Sequence, residues 1–279
     1  MTDSIIQSFN KKNSVGLLLL GLLCVFDARV IDFELDVGGK PNDASLKTAW
    51  LNGGLINSTL AGLTYGDELI FPNKTFHVMG GIEAHKLTNV ILHFEGTIVY
   101  DDTLKEWPRN SEGSVLECMS FYDPQNLTLT SSGKALFNGQ GTTWWGLPGI
   151  GYLVRGEDRP RLLKIVNGVD VLVENIFLQN SPYWTTLFDH MDGLEIRNTD
   201  IDARRTHSDE HGVIDITAFN TDGFDVTGKN VWIHDCFVWY QDDTIAVKDG
   251  SENMLFEHIE ASGVGLTVGS IGNSTVRNI

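Results

Sequence analysis

The feature that most constrains this chain is a recurrence of short apolar segments at an interval of 22 or 23 residues. Val171 and Leu194 are 23 positions apart, Val231 and Met254 again 23, and Met254 and Val276 22. The segment Val169-Asp-Val-Leu-Val-Glu-Asn-Ile-Phe-Leu is echoed one interval later by Gly193-Leu-Glu-Ile-Arg-Asn-Thr-Asp-Ile. Segments this short, bounded by Gly, Asn or Asp, read as strands. A period in the low twenties then specifies a solenoid whose coils stack in register. Residues one period apart lie on neighbouring parallel strands, ~4.8 Å apart. The five anchors are expected to point inward as stacked apolar ladders.

The same rule, applied to polar residues, gathers a candidate site. The stretch from Asn220 to Gly265 contains Asn220-Thr-Asp-Gly-Phe-Asp, then Gln241-Asp-Asp, then Ser262-Gly-Val-Gly. Asp222 and Asp242 are 20 positions apart, and Asp243 and Val264 are 21 apart. Stacking in register would bring Asp222, Asp242 and Asp243 into one patch from two adjacent coils. Crowded like charges raise one pKa while a neighbour stays ionised, which is the state that acid/base chemistry needs.

Earlier segments fit the same architecture. Val30 to Leu35 reads as a first strand. Asn42 to Trp50 reads as a capped helix, with Asp43 or Ser45 at its N-terminus, suited to covering the open end of a β-stack. Glu68 to Pro72, Thr75 to Val78, Asn89 to Phe94 and Asn126 to Thr130 follow as strands. Between Leu194 and Val231 the gap is 37 residues, one coil plus an insertion. That insertion, roughly Arg204 to Phe219, holds His207, Asp209, Glu210 and His211. It reads either as a solvated excursion or as a wall of a substrate cleft.

Length and charge bound the partners. With 279 residues, 42% of them hydrophobic, the chain can bury the core of one elongated domain. Twenty Lys and Arg against 37 Asp and Glu give a formal charge of -17, which argues against nucleic acid as a partner. Lys11 and Lys12 precede an apolar run from Val15 to Phe26, shorter than the ~20 residues that span a bilayer. Residues 1–28 therefore read as a secretory signal or a short anchor, and 29–279 as a single domain. A secreted protein, with no membrane contact in its mature form, is expected to act as a monomer. Sequons at Asn57, Asn73, Asn126 and Asn273 are compatible with that route. Cys118 and Cys236 are left as a pair or as two buried thiols, and no cysteine spacing marks a metal site.

Taken together, the motifs resemble glycoside hydrolase family 28, the polygalacturonases and their relatives, which are right-handed parallel β-helices. The resemblance rests on Asn138-Gly-Gln-Gly with Trp144-Trp145, on Arg159-Pro-Arg-Leu and Asn180-Ser-Pro-Tyr-Trp, and on Asn220-Thr-Asp-Gly with the Asp242-Asp243 pair. It implies an all-β right-handed parallel β-helix with a short N-terminal capping helix. It also implies hydrolysis of α-1,4-galacturonosyl linkages of pectin. By resemblance, Asp242 is the general acid, while Asp222 and Asp243 hold and deprotonate the attacking water, inverting the anomeric carbon. No metal or other cofactor is called for. Asn220, Lys248, Gly263, Val264 and Gly265 fall at substrate-binding positions. Lys248 reads equally as a ligand for a uronate carboxylate and as a solvated surface lysine. Asp225 reads as structural. Trp184, Trp239 and Tyr240 read as core or stacking residues first and sugar platforms second.

The chain departs from the family pattern in three places. Val264 stands where the family has a His between two glycines. Thr244 and Glu260 replace a Cys pair. The family's later Arg-x-Lys motif and terminal coils do not follow Ile279, so the last coils are expected to be missing. Two further readings stay open, the first favoured by Val264 and the absent basic motif. One is a catalytically impaired β-helix that binds cell-wall polysaccharide. The other is a polysaccharide lyase, which would need a Ca²⁺ site and a basic residue to abstract the sugar proton.

Overall fold

The computed structural model describes residues 28–145, 158–204, 218–262, 265–272 and 274–279. Among the described residues, eighteen strands join in one sheet, and every pairing between them is parallel. The sheet winds as a right-handed parallel β-helix, the hand that parallel crossovers adopt. Each coil contributes to three faces. One face carries Met119–Tyr122, Leu163–Val166, the start of Thr186–Arg197, the start of Phe224–Trp239, and Asp243–Val247. The next carries Thr88–Phe94, Gln125–Thr130, Val169–Glu174 and the middle of the two long strands.

Inward positions stack as ladders because the alternation of side chains is preserved from coil to coil. Phe121, Ile165, Phe188, Val226 and Val247 form one such ladder, all buried. Val171, Leu194, Val231 and Met254 form another in the predicted register. Val276 does not continue it. Glu252 pairs with Arg277, 25 positions on, so the last coil is longer than the earlier interval. Val276 instead packs partly buried against the core, out of step with Met254.

The corners explain the Asn, Asp and Gly punctuation. Asn89, Asn126, Asp170, Gly193, Asn230 and Asn253 occupy one corner, all with positive φ between 50° and 83°. This left-handed conformation is disfavoured for most side chains and least so for Asn, Asp and Gly. Side-chain amides also bridge neighbouring coils there, as from Asn126 Nδ2 to Asn89 Oδ1 at 2.5 Å.

At the N-terminal end, the first strand is only Val30–Asp32, and the helix is longer than expected, Leu46–Ala61. Ser45 caps it, its Oγ accepting from Thr48 N at 3.2 Å. Asp43 supports the cap by accepting from Ser45 N and Thr48 Oγ1. The helix packs on Thr75–Val78 and Ile82–His85. Cys118 and Cys236 are two buried free thiols, not a disulfide. Among the described residues, no helix is long and apolar enough to cross a membrane. The apolar run Val15 to Phe26 lies outside the described residues.

Candidate active site

The acidic cluster forms where two coils enter the first face. Thr185 N donates to Asp222 O at 2.9 Å, and Gly223 N donates to Asp243 O at 2.8 Å. The ladder thus extends to the residues just before the strands. Gly223 makes the approach possible: a Cβ there would lie 2.3 Å from the Thr244 carbonyl oxygen. Carboxylate oxygens of Asp222, Asp242 and Asp243 consequently lie within 4.8 Å of one another, the juxtaposition that the spacing predicts.

Burial then differentiates the three. Asp222 is 5% exposed, and Asp242 and Asp243 are partly open. The Asp222 carboxyl is pushed up to about 8, chiefly by burial and then by the charges of Asp225 and Asp242. Its Oδ1 has no hydrogen-bond partner among the described residues. Asp242 is also raised, by burial and by Asp243. Two hydrogen bonds from Asn220, N and Nδ2 to Asp242 Oδ2 at 3.2 Å, oppose that rise by favouring the ionised form. Asp243 Oδ1 accepts from Thr267 Oγ1 at 2.7 Å. Three oxygens this close are also a geometry a hard cation accepts.

Lys248 is part-buried and paired rather than solvated. Its ammonium pairs with Asp225 Oδ1 at 2.6 Å and lies 4.6 Å from the centre of the Trp184 ring. Asp225 is fully buried, and burial lifts its carboxyl to about 6 against the opposing pull of Lys248 and Arg161. Trp184 is half-buried, with the Arg161 guanidinium 4.5 Å from its ring centre. Tyr240 is buried, its hydroxyl against that of Thr244, and so presents no platform. Trp239 is half-buried under Arg204, 4.1 Å from its ring centre. Gly265 pairs with Asp243 at φ 111°. Gly263 and Val264 lie outside the described residues, as do His207, Asp209, Glu210 and His211.

Two arginines carry more of the site than sequence reading assigned. Arg159 is 2% exposed and donates to Pro182 O, Phe219 O and Asn220 Oδ1 at 2.9–3.1 Å. It therefore fixes the Asn220 that holds Asp242. Arg161 pairs with Glu117 at 2.8 Å and, with Lys164, brings positive charge to the face two coils before Asp222. The Arg159-Pro-Arg-Leu motif was the available signal, and it marked a family likeness without giving either residue a role.

A family model described as glycosyl hydrolases family 28 matches residues 76–279. The chain belongs to this family. Among curated proteins, it is 30% identical over 191 residues to a probable endopolygalacturonase I of Aspergillus flavus, covering 67% of this chain and 46% of that one. It is 30% identical over 180 residues to a polygalacturonase of Saccharomyces cerevisiae, covering 64% and 44%. The chain spans about half the length of the curated relatives it matches. Its fold is that of the endo-xylogalacturonan hydrolase from Aspergillus tubingensis, with TM-score 0.68 and 22% identity over 88% of this chain and 60% of that one. The polygalacturonase from Erwinia carotovora shares the fold, at TM-score 0.67 and 19% identity over 90% and 68%.

Proposed function

We propose that this family 28 chain carries the acid/base centre of a secreted, monomeric hydrolase of α-1,4-galacturonosyl linkages in pectin. The observation that carries the reading is the cluster of Asp222, Asp242 and Asp243 within 4.8 Å, with Asp222 and Asp242 both raised by burial. Protons in such a cluster belong to the group rather than to one residue. In mildly acidic solution it holds at least one proton. Asp242, the more open of the two raised groups and tethered by Asn220, delivers a proton to the glycosidic oxygen. Asp222, which keeps its proton in this range, orients the attacking water, and Asp243 takes the water's proton, so the anomeric carbon inverts. Arg161 and Lys164 share Glu117 and Lys248 pairs with Asp225, so three cations meet two carboxylates, and that surplus faces the uronate carboxylates of the substrate. The names of the curated relatives support pectic substrate as the class.

Inverting carboxyl pairs usually stand ~6.5–9.5 Å apart, farther than the closest oxygens here. Product stereochemistry is therefore the discriminating measurement. The purified chain is expected to release reducing ends from polygalacturonate without unsaturated product, and proton NMR should show the inverted anomer first. Asp242→Asn, which keeps the shape but has no acidic proton, should lower the rate ~10²- to 10⁴-fold with folding intact. Retention of configuration, or an unchanged rate, would sink the assignment. Binding of polygalacturonate without turnover by the wild type would support the impaired-binder alternative, which Val264 in place of a His favours.

A further inference from the structure

Beyond the acidic cluster the coil turns a corner through Gly228 and Asn230, at φ 117° and 58°, onto the second face. Outward positions there stack in one row. Ile91, Thr128, Leu172, Glu195, Trp232 and Leu255 are successive register partners. The outward row of a solenoid coil in water is ordinarily polar, yet Ile91, Trp232 and Leu255 are 37%, 40% and 52% exposed. Beside Trp232 lies a groove of about 350 Å³, lined by Asp170, Leu172, Glu195 and Asn230.

Trp232 is held in place. Its Nε1 donates to Glu257 Oε1 at 3.0 Å, and one face stacks on the His234 imidazole, 3.8 Å between centres. With one face covered and the N–H engaged, the exposed area is the other face and its edge, in a fixed orientation. A rigid aromatic face beside carboxylate and amide groups suits a pyranose ring, whose C–H face is apolar and whose hydroxyls seek acceptors.

Charge selects among sugars. Asp170 and Glu195 line the groove, while Asp192 and Glu257 accept from the side chains of its Asn230 and Trp232. The nearby cations are already engaged: Lys229 with Asp192 at 3.1 Å, and Arg197 with Glu174 and Glu195 at 2.7 and 2.6 Å. An acidic rim repels a uronate chain and leaves an uncharged one unopposed. We propose that this groove is a second carbohydrate-binding site, taking a neutral polysaccharide on the Trp232 platform. It lies one face round the coil from the acidic cluster.

The test is affinity electrophoresis in native gels containing galactan, xyloglucan or polygalacturonate. Asp242→Asn serves as the parent, so that turnover does not consume the matrix and binding is read independently of the proposed activity. The parent should be retarded by at least one of the two neutral polysaccharides. Trp232→Ala in that parent should weaken the retardation about tenfold or more, a loss of ~1.4 kcal/mol. Trp232→Phe should keep part of it. Tyr65→Ala, at an exposed aromatic residue near the start of the chain, should keep all of it. Melting temperature confirms that the variants fold. In the otherwise wild-type chain, Trp232→Ala should leave hydrolysis of soluble polygalacturonate unchanged. No retardation by either neutral polysaccharide overturns the proposal. So does equal retardation of Trp232→Ala, or retardation by polygalacturonate that depends on Trp232.

Discussion

Asp222 is the residue at which function and stability pull in opposite directions. Its carboxyl stands at about 8 in the folded protein, against ~3.9 in an unfolded chain. Between those values the folded protein keeps a proton that the unfolded chain has released. The stability this group contributes is therefore fully present below pH ~4 and is lost as pH rises to about 8. Asp222→Asn removes the titration while keeping the shape. The variant should gain stability relative to the wild type with rising pH, by up to ~1.4 kcal/mol per unit across that window. Urea unfolding at several pH values checks this, and parallel profiles for the two proteins would contradict it. Because Asp242 and Asp225 share the field, the slope should fall short of that ceiling.

At the scale of the element, the N-terminal helix carries adjacent glycines with opposite roles. A Cβ on Gly53 would lie 2.8 Å from the Met79 carbonyl oxygen, so the absence of a side chain lets the helix seat on the first coils. A Cβ on Gly54 meets nothing within 4 Å. Glycine in a helix interior is worse than alanine by ~0.5–1 kcal/mol. Gly54→Ala should therefore stabilise by about that amount, whereas Gly53→Ala should destabilise by ~1–3 kcal/mol through overpacking. Thermal unfolding of the two variants distinguishes them, and the same sign for both would refute the packing argument. The long strands in the middle of the stack offer no such freedom, since each is clamped between two coils and its inward residues are members of continuous ladders.

For the whole molecule, the leading electrostatic fact is a formal charge of -17. A polyuronate approaching it meets long-range repulsion, relieved only close in by Arg161, Lys164 and Lys248. The Debye length falls from ~30 Å at 0.01 M ionic strength to ~10 Å at 0.1 M, short enough to screen the global field while leaving contact pairs largely intact. The KM for polygalacturonate should therefore drop several-fold over that range. A KM that rises instead would mean that the local cations dominate the encounter.

The sequence by itself determined the coil interval, the inward identity of Val171, Leu194, Val231 and Met254, and the meeting of Asp222, Asp242 and Asp243. These follow from local periodicity, because in a parallel stack a fixed spacing along the chain becomes adjacency in space. It left the register of Val276 wrong, because the last coil has a different length and only the pairing of Glu252 with Arg277 reveals it. It left Lys248 undecided and Arg159 without a role. Those depend on what lies across the coil: Asp225 beneath one ammonium, Asn220 within reach of one guanidinium. Burial above all was decided by tertiary structure. Asp225 sits on an outward position of its strand and is nonetheless fully covered. A carboxylate's desolvation depends on the segments packed around it, and no spacing along the chain encodes that.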